Sequence, residues 1–268
     1  MGSGIAQLAV QGGFDVTLFD INNEVLSKSE VFIKEGLQKL VEKGKISSEE
    51  KTNIVQHLTF TSHIENCVAD VIIEAVAENM IIKQKLFDEL FRLNKDNTIF
   101  ATNTSSISVT TLCQDKKYAP RLAGMHFFNP ATLMKLVEII RGEKTSEIII
   151  ETLAGLAKQL GKTPVICNDA PGFIVNRIAR PYYLEAMQLL QNGMADITTI
   201  DHVMEATGFK MGPFKLMDLI GIDVNYSVSN IVWEALGKPE RLAPSIIQKN
   251  KVEAKELGRK TGKGFYKY

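Results

Sequence analysis

Short apolar runs alternate with amphipathic stretches through the first two thirds of the chain. Apolar spacing predicts a helix over residues 5–12, and Phe14-Asp15-Val16-Thr17-Leu18-Phe19-Asp20 reads as a short strand ending in a carboxylate. Val25, Phe32, Ile33, Leu37, Leu40 and Val41 recur near helical period between Lys and Glu residues, predicting an amphipathic helix over 24–43; a second helix follows from Ser47. Strands are expected over 58–61, 70–75, 98–102 and 122–127, with helices over 83–93 and 108–113. Two further strands, 135–140 and 163–167, bracket a helix over 146–160 that Gly161 terminates. Strands alternating with helices imply an α/β fold with a mostly parallel sheet covered on both faces.

After Pro171-Gly172 the pattern changes to helices alone, over 173–191, 196–207, 216–236 and 244–257. The expected organisation is an α/β domain over 1–168 and an all-helical domain over 169–268. Leu216, Leu219, Ile220, Ile222, Val228, Ile231, Val232, Trp233 and Leu236 form an apolar stripe that serves either a helical core or a subunit interface.

Composition narrows the function classes. Lys and Arg total 31 and so do Asp and Glu, so no net charge draws the chain to nucleic acid or an anionic membrane. Cys67, Cys113 and Cys167 are widely spaced and match neither a zinc pattern nor a disulfide framework, which argues for a reducing, cytoplasmic setting and no metal. The longest apolar run, 71–82, is interrupted by Glu74, Glu78 and Asn79 and falls short of the roughly 20 residues a spanning helix needs, so no membrane partner is expected.

Two ionisable side chains sit in apolar surroundings. His126 lies in Gly124-Met125-His126-Phe127-Phe128-Asn129-Pro130 and Glu138 in Lys135-Leu136-Val137-Glu138-Ile139-Ile140. A buried carboxylate is costly without a partner, and a nearby imidazole makes both groups tolerable and chemically useful. His126 is therefore a candidate general base and Glu138 its orienter. At the front of the chain, Gly2 precedes a helix and Asp20 ends the following strand. This matches the last glycine and the ribose-binding acid of the G-x-G-x-x-G dinucleotide fingerprint, without its first strand and first two glycines.

These residues, together with Met1-Gly2-Ser3-Gly4-Ile5-Ala6-Gln7, Glu74-Ala75-Val76-Ala77-Glu78-Asn79, Asn103-Thr104-Ser105-Ser106, Pro171-Gly172-Phe173-Ile174-Val175-Asn176-Arg177, Met211-Gly212-Pro213-Phe214 and Lys260-Thr261-Gly262-Lys263-Gly264-Phe265-Tyr266, resemble the L-3-hydroxyacyl-CoA dehydrogenase family nearly end to end, particularly its bacterial 3-hydroxybutyryl-CoA members. The resemblance implies a Rossmann-like domain followed by a helical dimerisation domain, NAD as cofactor, an acyl-CoA substrate and a homodimer. It implies His126 as general base and acid with Glu138 as orienter, and Ser105 and Asn176 around the reacting oxygen. Along the cofactor it implies Gly2, Asp20, Glu78, Lys83, Ser105, Asn129 and Lys260, Asp20 favouring NAD over NADP. Lys43 matches a basic position near the CoA adenosine phosphate, while Gly36 stands where the family sometimes has a serine.

The family pattern begins with a central strand and glycines that have no counterpart here. A chain starting at Met1 is expected to leave a gap between two halves of the sheet, to fold poorly and to bind little NAD. Two alternatives carry their own expectations: a dehydrogenase of free hydroxy acids, and a non-catalytic dimerising or acyl-CoA-binding remnant.

Overall fold

The computed structural model describes residues 1–268. The chain divides into two compact units, Met1–Asp169 and Ala170–Tyr268.

The first unit alternates strand and helix. It runs α1 (Gly2–Gln11), β1 (Val16–Phe19), α2 (Asn23–Glu42), α3 (Ser48–Gln56), β2 (Leu58–Thr61), β3 (Val71–Glu74), α4 (Met80–Leu93), β4 (Ile99–Thr102), α5 (Val109–Leu112), β5 (Leu122–Phe127), β6 (Leu136–Arg141), α6 (Glu147–Gln159) and β7 (Thr163–Asn168). Local chemistry sets the helix starts. Asn22 caps α2 through Glu24 N–H, Ser47 and Glu50 form a reciprocal capping box on α3, and Asn79 accepts from Ile81 and Ile82 N–H. The Asn79 cap starts α4 three residues before the sequence pattern places it.

The strands form two sheets, β1-β2 and β3-β4-β5-β6-β7, with no hydrogen-bonded link between β1 and β3. All pairings are parallel except β5 with β6, which is antiparallel. Ala123, Met125, Phe127, Val137 and Ile139 turn to one core, packed against Ile150, Leu153 and Ala157 of α6. Every residue of β5 is buried, as expected of a strand with neighbours on both sides and covered faces. One expectation needs correction. The buried side of α2 is Leu26, Ser29, Ile33 and Leu37, whereas Val25 and Phe32 are exposed. Those two lie about one residue step, near 100°, away from the true inward stripe.

The second unit is helical: α7 (Val175–Gln191), α8 (Ile197–Ala206), α9 (Pro213–Ile220), α10 (Ile222–Ala235) and α11 (Ile246–Glu253). Its core gathers Tyr183, Met187, Phe214, Met217 and Ile222. The single helix expected over 216–236 is two helices, because Gly221 adopts φ +103°, a conformation costly for any residue with a Cβ. Two buried carboxylates fasten the C-terminal segment. Asp218 accepts from Phe265 and Tyr266 N–H and Tyr268 O–H, and Asp201 from Phe214 and Lys215 N–H and Tyr266 O–H.

Candidate active site

His126 and Glu138 face each other across the only antiparallel pairing of the main sheet, in direct register. Their side chains meet at 2.8 Å, Nδ1 to Oε2, and both are almost fully buried. A carboxylate can only accept, so the shared proton sits on Nδ1, and the ring is held in the tautomer whose Nε2 is the basic atom. Strand alternation puts this pair on the opposite face from Met125 and Val137. On that face Gly124 is required, since a Cβ there would stand 2.7 Å from Ile140 Cβ. The Phe128 ring lies 4.6 Å from the imidazole, centroid to centroid. The Glu138 charge is also felt by Cys167 on β7, whose thiol is pushed up to about 11 by burial first and then by Glu138 and Asp169.

Ser105 stands in the loop after β4. Glu78 Oε1 collects that loop: it accepts from Thr104 O–H at 2.6 Å, Ser105 and Ser106 N–H at 3.0 Å each, and Ser106 O–H at 2.9 Å. Burial pushes Glu78 upward, but the Thr104 bond, the Lys83 charge and the Ser106 and Ser105 bonds outweigh it and hold its pKa below the ordinary value. Local capping comes from Thr104, which accepts from Ile107 N–H, and from Ser108 at α5. Asn103 ties the loop to the base strand, its Oδ1 accepting from Phe127 N–H at 2.8 Å.

The residues expected along the cofactor fall in several places. Gly2 lies at the start of α1, where an added Cβ would sit 3.8 Å from Leu18 Cδ1 and 4.0 Å from Ala75 Cβ, between the carboxyl ends of β1 and β3. That helix end carries no side-chain cap and no acidic residue in its first turn. Asp20, one residue past β1, is half-buried, its Oδ1 accepting from Asn22 N–H. Asn129 joins Met1, Ser3, Gly4 and Phe32 around a cleft of about 190 Å³. A glycine and a helix N-terminus near the carboxyl ends of β1 and β3, with a carboxylate just past β1, fit the pyrophosphate and ribose of a dinucleotide. Lys83 is not a solvated side chain: it is 1% exposed, 2.6 Å from Glu74 and 3.4 Å from Glu78. Glu78 directly precedes Asn79, the residue that caps α4.

Lys43 caps the C-terminus of α2 and is exposed. Gly36 on the same helix serves packing, because a Cβ would come within 2.6 Å of the Gln7 amide. In the helical unit, Asn176 stands in the first turn of α7, where its carbonyl accepts from Arg180 Nε, and Lys260 pairs with Asp223 at 2.6 Å. Sequence reasoning quoted Glu74, Asn103 and Thr104 as motif residues but gave them no role. The signal was present in the strand-end polar residues Glu74 and Asn103, which close β3 and follow β4 where binding groups gather in such sheets.

A parallel sheet with a polar site at its strand ends, a buried imidazole–carboxylate pair and a following helical unit define a nucleotide-dependent oxidoreductase. Residues 1–170 match the family described as "3-hydroxyacyl-CoA dehydrogenase, NAD binding domain", and residues 172–268 match "3-hydroxyacyl-CoA dehydrogenase, C-terminal domain". The chain belongs to the 3-hydroxyacyl-CoA dehydrogenase family, and its cofactor is NAD. It is 41% identical to 3-hydroxyadipyl-CoA dehydrogenase of Escherichia coli over 99% of its own length, spanning 56% of that protein. It is 40% identical to 3-hydroxybutyryl-CoA dehydrogenase of Clostridioides difficile, covering all of this chain and 96% of the relative. The crystal structure of (S)-3-hydroxybutyryl-CoA dehydrogenase from Ralstonia eutropha superposes with a TM-score of 0.95 at 36% identity, over 100% of this chain and 95% of that one. No helix of the chain is long and apolar enough to cross a membrane.

Proposed function

We propose that the chain interconverts an L-3-hydroxyacyl-CoA and its 3-ketoacyl-CoA, with 3-hydroxybutyryl-CoA as the short-chain substrate. The observation that carries this reading is the buried His126–Glu138 pair. In the oxidative direction Nε2 of His126 takes the hydroxyl proton of the substrate, while Glu138 holds the ring and stabilises the imidazolium that forms. NAD, when bound, accepts the hydride from the carbon that bore that proton's oxygen. In reverse the imidazolium returns the proton to the carbonyl oxygen. In this reading Ser105 orients that oxygen by a hydrogen bond, and the family resemblance assigns a like task to Asn176.

Asp20 supports NAD over NADP, since a carboxylate accepts from a ribose 2′-hydroxyl and repels a 2′-phosphate. The family resemblance assigns Gly2, Glu78, Lys83, Ser105, Asn129 and Lys260 to the cofactor as well, and Lys43 to the CoA phosphate. Exposed Leu219, Ile220 and Val224 on α9 and α10 support a homodimer through the helical unit. Three free cysteines support a cytoplasmic setting.

Oxidation of NADH by acetoacetyl-CoA, compared with free acetoacetate, tests the substrate class. The thioester is expected to turn over and the free acid to fail. Equal rates would identify a free hydroxy-acid dehydrogenase, and no turnover with intact dimerisation would identify a non-catalytic remnant.

A further inference from the structure

One buried carboxylate of the α/β unit lies outside the base–orienter pair. Glu74, the last residue of β3, is 3% exposed and fully engaged. Its Oε1 accepts from Lys83 Nζ at 2.6 Å and Val76 N–H at 2.7 Å, and its Oε2 from Thr102 O–H at 2.7 Å. Its carbonyl accepts from Asn103 N–H at 2.7 Å. Both ends of this residue therefore grip the segment that leads into the Ser105 loop.

Lys83 carries the connection onward. Its ammonium lies between two carboxylates, close to Glu74 and at 3.4 Å from Glu78 Oε2. The shorter contact sets where Nζ stands, and Nζ in turn holds one oxygen of Glu78 while the other gathers Thr104, Ser105 and Ser106. The cluster has two negative groups and one positive: Glu74 and Lys83 are buried, whereas Glu78 closes the cluster at the surface with about a third of its side chain exposed. Without the Glu74 charge the ammonium has a single carboxylate left and closes on Glu78, drawing it off the loop. Thr102 adds a parallel link, since its hydroxyl donates to Glu74 and accepts from Thr104 N–H at 3.3 Å.

We infer that Glu74 is a positioning residue: through Lys83 and Glu78 it fixes the loop that carries Ser105. Asn103 passes the same alignment to the His126 strand through Phe127 N–H. The inference rests on the proposed dehydrogenase reading for the role of Ser105, whereas the carboxylate–lysine–carboxylate relay stands on geometry alone.

Glu74→Gln tests it with two readouts. Amide exchange over residues 103–107 is expected to rise about tenfold or more with the rest of the unit unchanged. Turnover of acetoacetyl-CoA is expected to fall about tenfold, as misplacement of an orienting group predicts. Glu74→Asp should recover part of the loss. In a Lys83→Gln background Glu74→Gln should cost little more, because both act along one route. Unchanged exchange at 103–107, exchange raised evenly through the unit, or fully additive losses would each overturn the inference. If Glu74→Gln does not fold, Thr102→Val, which removes one donor to Glu74 at constant volume, is read by the same exchange and kinetic criteria. If the unaltered protein fails to reduce acetoacetyl-CoA, the functional reading falls, and exchange at 103–107 still decides the positioning claim.

Discussion

His126 and Glu138 are opposite residues of an antiparallel strand pair, and their 2.8 Å contact follows from register. A one-residue slip of β6 would turn Glu138 to the other face and bring Val137 or Ile139 opposite the imidazole. The reversal of direction at β6, unique in an otherwise parallel sheet, thus places the carboxylate behind the base.

Asn103 locks the neighbouring loop to that strand. Asn103→Ala removes the acceptor for Phe127 N–H and leaves a largely buried donor unpaired, which costs about 1–3 kcal/mol. A urea melt is expected to show the midpoint falling with an unchanged slope. An unchanged midpoint would mean that the bond has no hold on the strand.

Glu78 makes the Ser105 loop sensitive to acid. Its folded pKa lies below its ordinary 4.5, so its contribution to stability is complete above that value and is lost as pH falls through the folded one. Amide exchange at Ser105 and Ser106, corrected for the intrinsic pH dependence, should show protection dropping below about pH 4.5 in the wild type and no such step in Glu78→Gln.

Asp20 is expected to hold the cofactor ribose. Asp20→Ala should weaken NADH binding about tenfold, the cost of one or two charge-assisted hydrogen bonds, in a fluorescence titration. Unchanged affinity would remove Asp20 from the cofactor surface.

In the helical unit, Asp218 anchors Phe265, Tyr266 and Tyr268. Asp218→Ala leaves those donors without their acceptor, at about 1–3 kcal/mol for each buried group. Limited proteolysis should then cleave the last turn of the chain first, with the α/β unit protected.

The candidate base and its orienter were legible because both interrupt strongly apolar strands, where an ionisable group needs a partner. The order of strands and helices was legible from period alone. Other features depend on tertiary context. Lys83 sits at a position whose local pattern reads as an exposed helix residue, and only the folding of Glu74 and Glu78 around it makes burial affordable. The break at Gly221 was hidden because apolar residues continue through it, and only its positive φ divides α9 from α10. Val25 and Phe32 misled because their spacing fits a stripe that the partners of α2 do not cover.

The most direct measurement is the turnover of Glu138→Gln with acetoacetyl-CoA and NADH, at confirmed fold. The amide retains the size of the carboxylate but loses its charge, and its NH2 can turn toward Nδ1 and shift the imidazole proton to Nε2. A fall of about 10² to 10⁴ in kcat is expected, the range set by loss of a correctly oriented acid–base group. A kcat equal to that of the wild type would contradict the account.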